Sequence, residues 1–464
     1  MLDSEPDRST NLLFSTKSLF SHIDFTNGAV AAVSGGSDST ALLLLLKRHF
    51  DRTAPSAKLL AVTVDHGLRT NSAAEAQAVA KLCAERGIAH RILAWSGRKP
   101  STGLPAAARE ARYRLLAEAA RAEDIGLIVT GHTADDQAET VLMRQARDDG
   151  RESAEMAGRG LAGMAPATLY DWREWIVRPL LDTRRSALRD FLRCEQVGWA
   201  DDPTNIDEAF ERPRVRAALA GESVEHMDDA LLLAAQAAVE RRQLGANAAD
   251  LIDRFASQPI IGLIRLDPCL LSSDDDRAAV YALRILLATA GGVALLPDHA
   301  RSEALFGRLK DGFLCATLSR SVIDFRRAGI FLRREARGLP PVATITDNAV
   351  WDGRRRITLN DRSDPFLIAP LGATAAKRLA VDTGKTPASL MRAALAAEPA
   401  LRQVIENPGL PQGDPGSPGF ASRPLVSPFA RFLPSFDLAP ARAVAGLIGA
   451  SPLPLPPWRG HSAG

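Results

Sequence analysis

Between about Gly28 and Gln145 the chain alternates short β-rich runs with stretches that read as helix, and this order leaves few folds open. The runs AVAAV (29–33), LLAVTV (59–64), HRILAW (90–95) and GLIVT (126–130) are each followed by a helix-length segment. Parallel strands satisfy that order, because a crossover between parallel neighbours needs a dozen or more residues, usually a helix. The second helix is bounded by Asn71 or Ser72 as N-cap and by Gly87 at its C-terminal end. The third begins near Pro105, a residue tolerated in a first turn, and the fourth near Ala134. A further strand-like run, WIVRPLL (175–181), precedes a helix capped by Asp182 or Thr183, and the turn-rich DDPTN (201–205) ends the pattern.

The rest of the 464 residues needs further domains, since roughly 100–200 residues make one. From about 216 to 310 the chain reads as Ala/Leu-rich helix, and 311–360 as short β segments such as FLCATL and GIFLRRE. Residues 408–464 hold 12 of the 29 prolines, so loop is expected there. The expected division is a catalytic domain over 1–215, a helical domain over 216–310 and a C-terminal region over 311–464 with short strands and a Pro-rich tail. The fold class is α/β: a parallel-sheet, Rossmann-like nucleotide-binding domain, then a helical domain and a small α+β region. The run Leu42–Leu46 is far short of the roughly 20 apolar residues that cross a bilayer, and the opening MLDSEPDRST is polar, so neither a membrane span nor a secretory signal is expected. Cys83, Cys194, Cys269 and Cys315 stand too far apart for a local CxxC or zinc knuckle, which suits a reduced, cytoplasmic protein.

The first crossover holds the chemistry. Ser34-Gly35-Gly36-Ser37-Asp38-Ser39 lies directly between AVAAV and an apolar helix. The two glycines let backbone amides approach an anion and permit positive φ, the hydroxyls of Ser34, Ser37 and Ser39 can donate, and the next helix presents its positive end. The run lacks the Lys of a Walker loop and the third glycine of a dinucleotide fingerprint. Asp38 inside such a cradle would repel phosphate unless Mg²⁺ bridged the two, so Asp38 is the expected metal ligand. His66 and His132 both follow strands, at the rim where α/β proteins bind ligands. Asp136, Glu139 and Thr140 fall at i, i+3 and i+4, on one helix face. Acids at 135 and 136 are also favoured by the helix dipole alone, and Arg109, Arg112 and Arg114 read equally as solvated helix cations.

The Ser/Gly run resembles the SGGxDS loop of the N-type ATP pyrophosphatases, which split ATP into AMP and pyrophosphate. The wider match narrows this to the tRNA(Ile)-lysidine synthase family. It comprises Val64-Asp65-His66-Gly67-Leu68-Arg69, Ala108-Arg109-Glu110-Ala111-Arg112-Tyr113-Arg114, Gly131-His132-Thr133-Ala134-Asp135-Asp136-Gln137-Ala138-Glu139-Thr140, Gly163-Met164 and Arg178-Pro179-Leu180-Leu181, and covers about residues 25–216. The resemblance implies ligation of free L-lysine to C2 of the wobble cytidine in the CAU anticodon of an isoleucine tRNA, which changes codon reading from AUG to AUA. ATP first adenylates O2 of the base, and the lysine ε-amine then displaces AMP. It also implies ATP contacts at Ser34, Gly35, Gly36, Ser37, Asp38, Ser39, Asp65 and His66. Asp136 and Glu139 would grip the lysine, with catalytic roles for Asp38, Arg112, His132 and Asp136. ATP and Mg²⁺ are the cofactors, the helical domain over 216–310 would bind the tRNA, no membrane is involved, and homodimer formation is left open.

Net charge is only +2, but 49 of the 57 cations are Arg, and residues 81–120 and 301–340 each carry five more cations than acids. Arg presents a planar fork suited to phosphate. Arg326, Arg327 and Arg334 are accordingly the expected tRNA contacts, against the alternative that they pair with nearby acids. Two stretches depart from the family: the acidic 147–160, where a short RGxG-type turn is usual, and Arg212-Pro213-Arg214-Val215-Arg216, where Pro213 replaces the Asn of an RNxxR-like run. Other functions built on the same loop fit less well. A tRNA thiolase would need cysteine pairs, and an amidotransferase such as GMP synthetase would need a glutaminase nucleophile. A non-catalytic ATP-binding module would release no pyrophosphate on adding tRNA and lysine.

Overall fold

Strands form where the apolar runs stand: β1 (Ala29–Ala32), β2 (Leu59–Asp65), β3 (Ala89–Ala94), β4 (Leu127–Thr130), β5 (Ala167–Tyr170) and β6 (Glu174–Val177). The structure, a computed structural model, describes residues 19–68, 72–148, 159–200, 214, 224–359, 366–380, 386–403 and 420–458. These strands are ordered β5-β6-β4-β1-β2-β3, parallel throughout except for β5, which runs antiparallel to β6. Helices α1 (Ser37–Thr53), α2 (Ser72–Glu85), α3 (Leu104–Ala122) and α4 (Ala134–Asp148) fill the successive crossovers, and α5 (Arg185–Cys194) follows β6. The order reverses between β1 and β4, so their carboxyl ends open a crevice at the switch point.

The central strand β1 is Ala-Val-Ala-Ala, with no residue more than 1% exposed. Side chains that small let helices lie close on both faces of the sheet. Leu42–Leu46 of α1 are all buried, each contributing about 1.5–3 kcal/mol relative to exposure. That run is a helix covered on every side. Gly87 takes positive φ beyond α2, and Pro105 lies in the first turn of α3.

The chain divides into two units, 1–239 with 454–464, and 240–453. The division falls inside the long helix α6 (Val224–Phe255). Residue 310 lies within the second unit, and the 215/216 boundary lies outside the described residues, as do the Pro213 position and most of 147–160. The stretch read as continuous helix is interrupted by a hairpin, β7 (Ala256–Ile260) and β8 (Leu263–Leu266), turning at Gly262 with φ +78°. Helices α7 (Asp276–Gly291) and α8 (His299–Asp311) follow. β8 then pairs with β11 (Gly329–Arg334), which pairs with β10 (Ser321–Arg326), itself paired with β9 (Cys315–Leu318).

Beyond them, β12 (Ala343–Ile345), β15 (Phe366–Pro370) and β16 (Pro399–Gln403) form one small antiparallel sheet. A second consists of β13 (Ala349–Trp351), β14 (Arg355–Leu359) and β17 (Phe420–Pro424). Ile345, Trp351, Ile357, Leu359, Phe366, Ile368 and Phe420 from both sheets pack as one core. Helices α9 (Gly372–Leu379) and α10 (Ala388–Ala396) lie between β15 and β16 in the chain. The Pro-rich tail is not all loop: α11 (Leu438–Ile448) forms inside it and stops at Gly449, φ +66°.

Candidate active site

The Ser/Gly loop connects β1 to α1 at the crevice. Gly35 has φ +89°, the left-handed region that glycine enters without strain, whereas Gly36 is extended at φ −72°, ψ 162° and serves as N-cap of α1. Only one of the two glycines is therefore needed for positive φ. The serines hold the loop's shape: Ser34 N–H donates to Ser39 Oγ at 3.1 Å, the two hydroxyls lie 3.1 Å apart, and Ser39 Oγ donates to the Gly36 carbonyl at 3.1 Å. Ser37 Oγ donates to Asp38 Oδ1 at 2.9 Å. The carbonyl of Gly35 accepts Ala200 N–H at 2.9 Å, tying the loop to the chain beyond α5.

Gly131 at the end of β4 sets how closely the next motif approaches this loop. A Cβ there would stand 2.9 Å from the Asp38 carbonyl oxygen and 3.1 Å from Ser39 Cα. Beyond it, Thr133 and Asp136 close a capping box, Thr133 N–H and Oγ1 each donating to Asp136 Oδ2 at 3.0 Å. One carboxylate oxygen of Asp136 is thus structural and the other, Oδ1, is turned to the site. Gln137 clamps the Gly163-Met164 motif, accepting Met164 N–H at 2.7 Å and donating to its carbonyl at 3.2 Å.

A residue the sequence did not single out joins the acids. Arg185 Nε donates to Asp38 Oδ2 at 2.9 Å, Nη2 donates to Asp136 Oδ1 at 3.1 Å, and Nη1 lies 3.6 Å from Glu139 Oε1. Its helix start is not capped by Asp182 or Thr183 as expected. Arg185 N–H donates to Asp135 Oδ2 at 2.7 Å, and Ala134 N–H donates to the Thr183 carbonyl at 3.0 Å, so α4 and α5 cap each other. Burial would lower the Arg185 pKa, but Asp136, Asp38 and Glu139 outweigh it and raise it. Burial likewise pushes Asp136 up, while Arg185, His132 and the Thr133 hydrogen bonds carry it below the usual carboxylate range. Glu139 is 2% exposed.

On the other side of His132 the charges are positive. Burial, with Arg178, Arg112 and Arg109 nearby, holds the His132 pKa well below its ordinary value against the pull of Asp136, so the ring is neutral near pH 7. Its Nδ1 lies 3.0 Å from Thr130 Oγ1. Arg178 Nη1 donates to the Ala165 carbonyl at 2.7 Å and to Thr168 Oγ1 at 3.0 Å, and the Arg109 guanidinium lies 5.1 Å over the Tyr113 ring. Burial lowers the Arg112 pKa, with Arg109 adding to it. The crevice therefore presents cations beside His132 and acids around Arg185, two fields suited to a polyphosphate and to an amine.

Asp65 ends β2 and His66 follows it, but the Asp65 carboxylate is turned to its own loop. It accepts Gly67 N–H at 2.8 Å and the Ser72 hydroxyl, and these bonds lower its pKa. His66 packs edge-on against Trp95, centroids 5.8 Å apart, and burial and Arg112 lower its pKa. Lys99 Nζ lies 5.5 Å over the Trp95 ring, making an aromatic and cationic shelf that sequence reading passed over.

The three arginines assigned to tRNA part company. Arg334 is wholly buried, bonded to Asp352 and to the carbonyls of Glu335, Arg337 and Gly338, and cannot reach a phosphate; that assignment is corrected. Arg326 is paired with Asp324 at 2.7 Å and remains partly exposed, and Arg327 is exposed. No helix among the described residues is long and apolar enough to cross a membrane.

Residues 10–223 match the family model of the PP-loop domain. The chain is 80% identical over 463 residues to a tRNA(Ile)-lysidine synthase of Mesorhizobium japonicum, covering all of both chains. It is 37% identical over 433 residues to the tRNA(Ile)-lysidine synthase of Brucella melitensis biotype 2, covering 90% of this chain and 94% of the relative. Among solved structures, the U34-tRNA thiolase NcsA from Methanococcus maripaludis aligns over 48% of this chain and 75% of its own at 17% identity and a TM-score of 0.40. With full-length identity to one curated relative and near-full-length identity to another, the chain belongs to the tRNA(Ile)-lysidine synthase family.

Proposed function

We propose that the protein ligates L-lysine to C2 of the wobble cytidine in the CAU anticodon of an isoleucine tRNA at the expense of ATP, forming a carbon–nitrogen bond. In the first step cytidine O2 attacks the α-phosphorus, an O2–P bond forms and pyrophosphate leaves. In the second the lysine ε-nitrogen attacks C2, the C2–O2 bond breaks, AMP departs with O2 and the amine loses a proton. The observation that carries this reading is the placing of Asp136 and Glu139 beside the phosphate loop, on one helix face and around one guanidinium. Lysine, with a pKa near 10.4, arrives as a cation that such carboxylates can hold and then relieve of a proton.

In this assignment the loop 34–39 and the N-terminus of α1 hold the ATP phosphates, and Arg112 and His132 face the phosphates or the adenylated base. The donor set suits Mg²⁺: that ion takes one or two carboxylates and completes its shell with substrate phosphates and water, and Asp38 is the one acid in the loop. When bound, the metal would neutralise the departing pyrophosphate. A tRNA substrate supports a cytoplasmic setting. Mass analysis of nucleosides from isoleucine tRNA incubated with the protein, ATP, Mg²⁺ and lysine tests the reading. Lysidine should form only with all components present, and ATP turnover without it would refute the assignment.

A further inference from the structure

The fork of Arg185 spans acids from two different motifs, and nothing in the loop or in α4 alone requires it there. Its three contacts come from three nitrogens, to Asp38, Asp136 and Glu139, and its own backbone is fastened to Asp135. A planar guanidinium with separate donors fixes the relative orientation of its partners, which an ammonium cannot do. Without a cation among them, Asp136 and Glu139, one turn apart and both largely covered, would repel each other. We propose that Arg185 is a positioning residue of the ligation, registering the acid of the phosphate loop with the acids that hold the incoming amine, so that amine and adenylated base meet in one geometry. This rests on the reading that Asp136 and Glu139 hold the lysine. Arg185 thus reaches all three carboxylates at once, which orders the pocket around the place proposed for the amine.

The test uses the full-length protein with isoleucine tRNA, comparing Arg185→Gln, Arg185→Lys, Glu139→Gln and the Arg185→Gln/Glu139→Gln double variant. Lysine KM, ATP KM, kcat and melting temperature are measured for each. Arg185→Gln is expected to raise lysine KM about tenfold and to lower kcat by about 10²-fold, the usual cost of an ångström-scale misplacement, with a smaller change in ATP KM. Arg185→Lys should recover part of kcat, because an ammonium reaches some but not all of the acids. The double variant should be no worse in lysine KM than the more affected single variant, since both act on one unit. Additive effects, a uniform change in all substrates, or a lysine KM that falls in Arg185→Gln would overturn the proposal; the last would mean that the guanidinium merely competes for the amine site. Arg185→Lys, which keeps the charge, decides the matter if Arg185→Gln does not fold. If Glu139→Gln leaves lysine KM unchanged, the amine reading and this proposal fall together. A raised KM in Glu139→Gln with none in either Arg185 variant overturns the role of Arg185 alone.

Discussion

Replacing Gly131 with Ala should move the phosphate loop. The new Cβ would stand 2.9 Å from the Asp38 carbonyl oxygen, 3.0 Å from its carbonyl carbon and 3.1 Å from Ser39 Cα, all backbone atoms that cannot rotate aside. Ordinary contact begins near 3.4 Å, so the first turn of α1 must retreat by about 0.5 Å, and overpacking of this kind costs ~1–3 kcal/mol. Gly131 does not have positive φ, so the penalty is steric rather than conformational. If that energy is lost from transition-state binding, at 1.36 kcal/mol per decade, kcat/KM for ATP should fall by about 5- to 150-fold. Pyrophosphate release measured against ATP concentration, with tRNA and lysine saturating, reads this directly. Gly126→Ala is the control, because a Cβ there meets nothing within 4 Å. A Gly131→Ala protein that melts with the wild type and keeps kcat/KM for ATP within twofold would show that the close approach does not set the loop.

Asp38→Asn preserves shape and the hydrogen bond to Arg185 but removes the charge proposed to hold the metal; pyrophosphate release should be abolished with melting unchanged, and a wild-type rate at saturating ATP and Mg²⁺ would contradict the role. Arg334→Leu should destabilise the protein by ~3–5 kcal/mol, because it unpairs buried Asp352 in part, while leaving the salt slope of tRNA binding unchanged; a flattened slope in filter binding would return Arg334 to the RNA surface. His132 is held well below its ordinary pKa, so the unfolded chain binds a proton that the folded chain refuses below about pH 6.5. Its contribution therefore erodes stability as pH falls from there and is absent above; an NMR titration showing half-protonation near 6.5 would refute the shift. Burial pushes the Cys83 thiol up to about 11, so in the native protein it should resist alkylation at pH 8 while exposed Cys194 and Cys315 react; Cys269, exposed but raised by Asp267, should react more slowly than those two.

What the sequence made legible is local. The strands at 29, 59, 89 and 127 and the helices from Ser72, Leu104 and Ala134 stand within a residue or two of their expected places, because apolar periodicity and caps act over one or two turns. The tail helix carried its own signals, a proline in its first turn and Gly449 at its end, which the count of prolines around it obscured. The β7–β8 hairpin was hidden the same way, five- and four-residue strands set in an Ala/Leu-rich background. Long-range pairing is a different matter. Arg334 looked like one of a basic run, yet Asp352, 18 residues away on a left-handed turn, draws it wholly inside. Arg185 looked like any cation in a helical first turn, and only the packing of α5 on α1 and the mutual capping of α4 and α5 bring it to Asp136 and, 147 residues away, to Asp38. The motifs supply ligands one element at a time; the charge that orders them comes from a residue outside every motif, because an arginine is placed by the acids it meets and not by its neighbours in the chain.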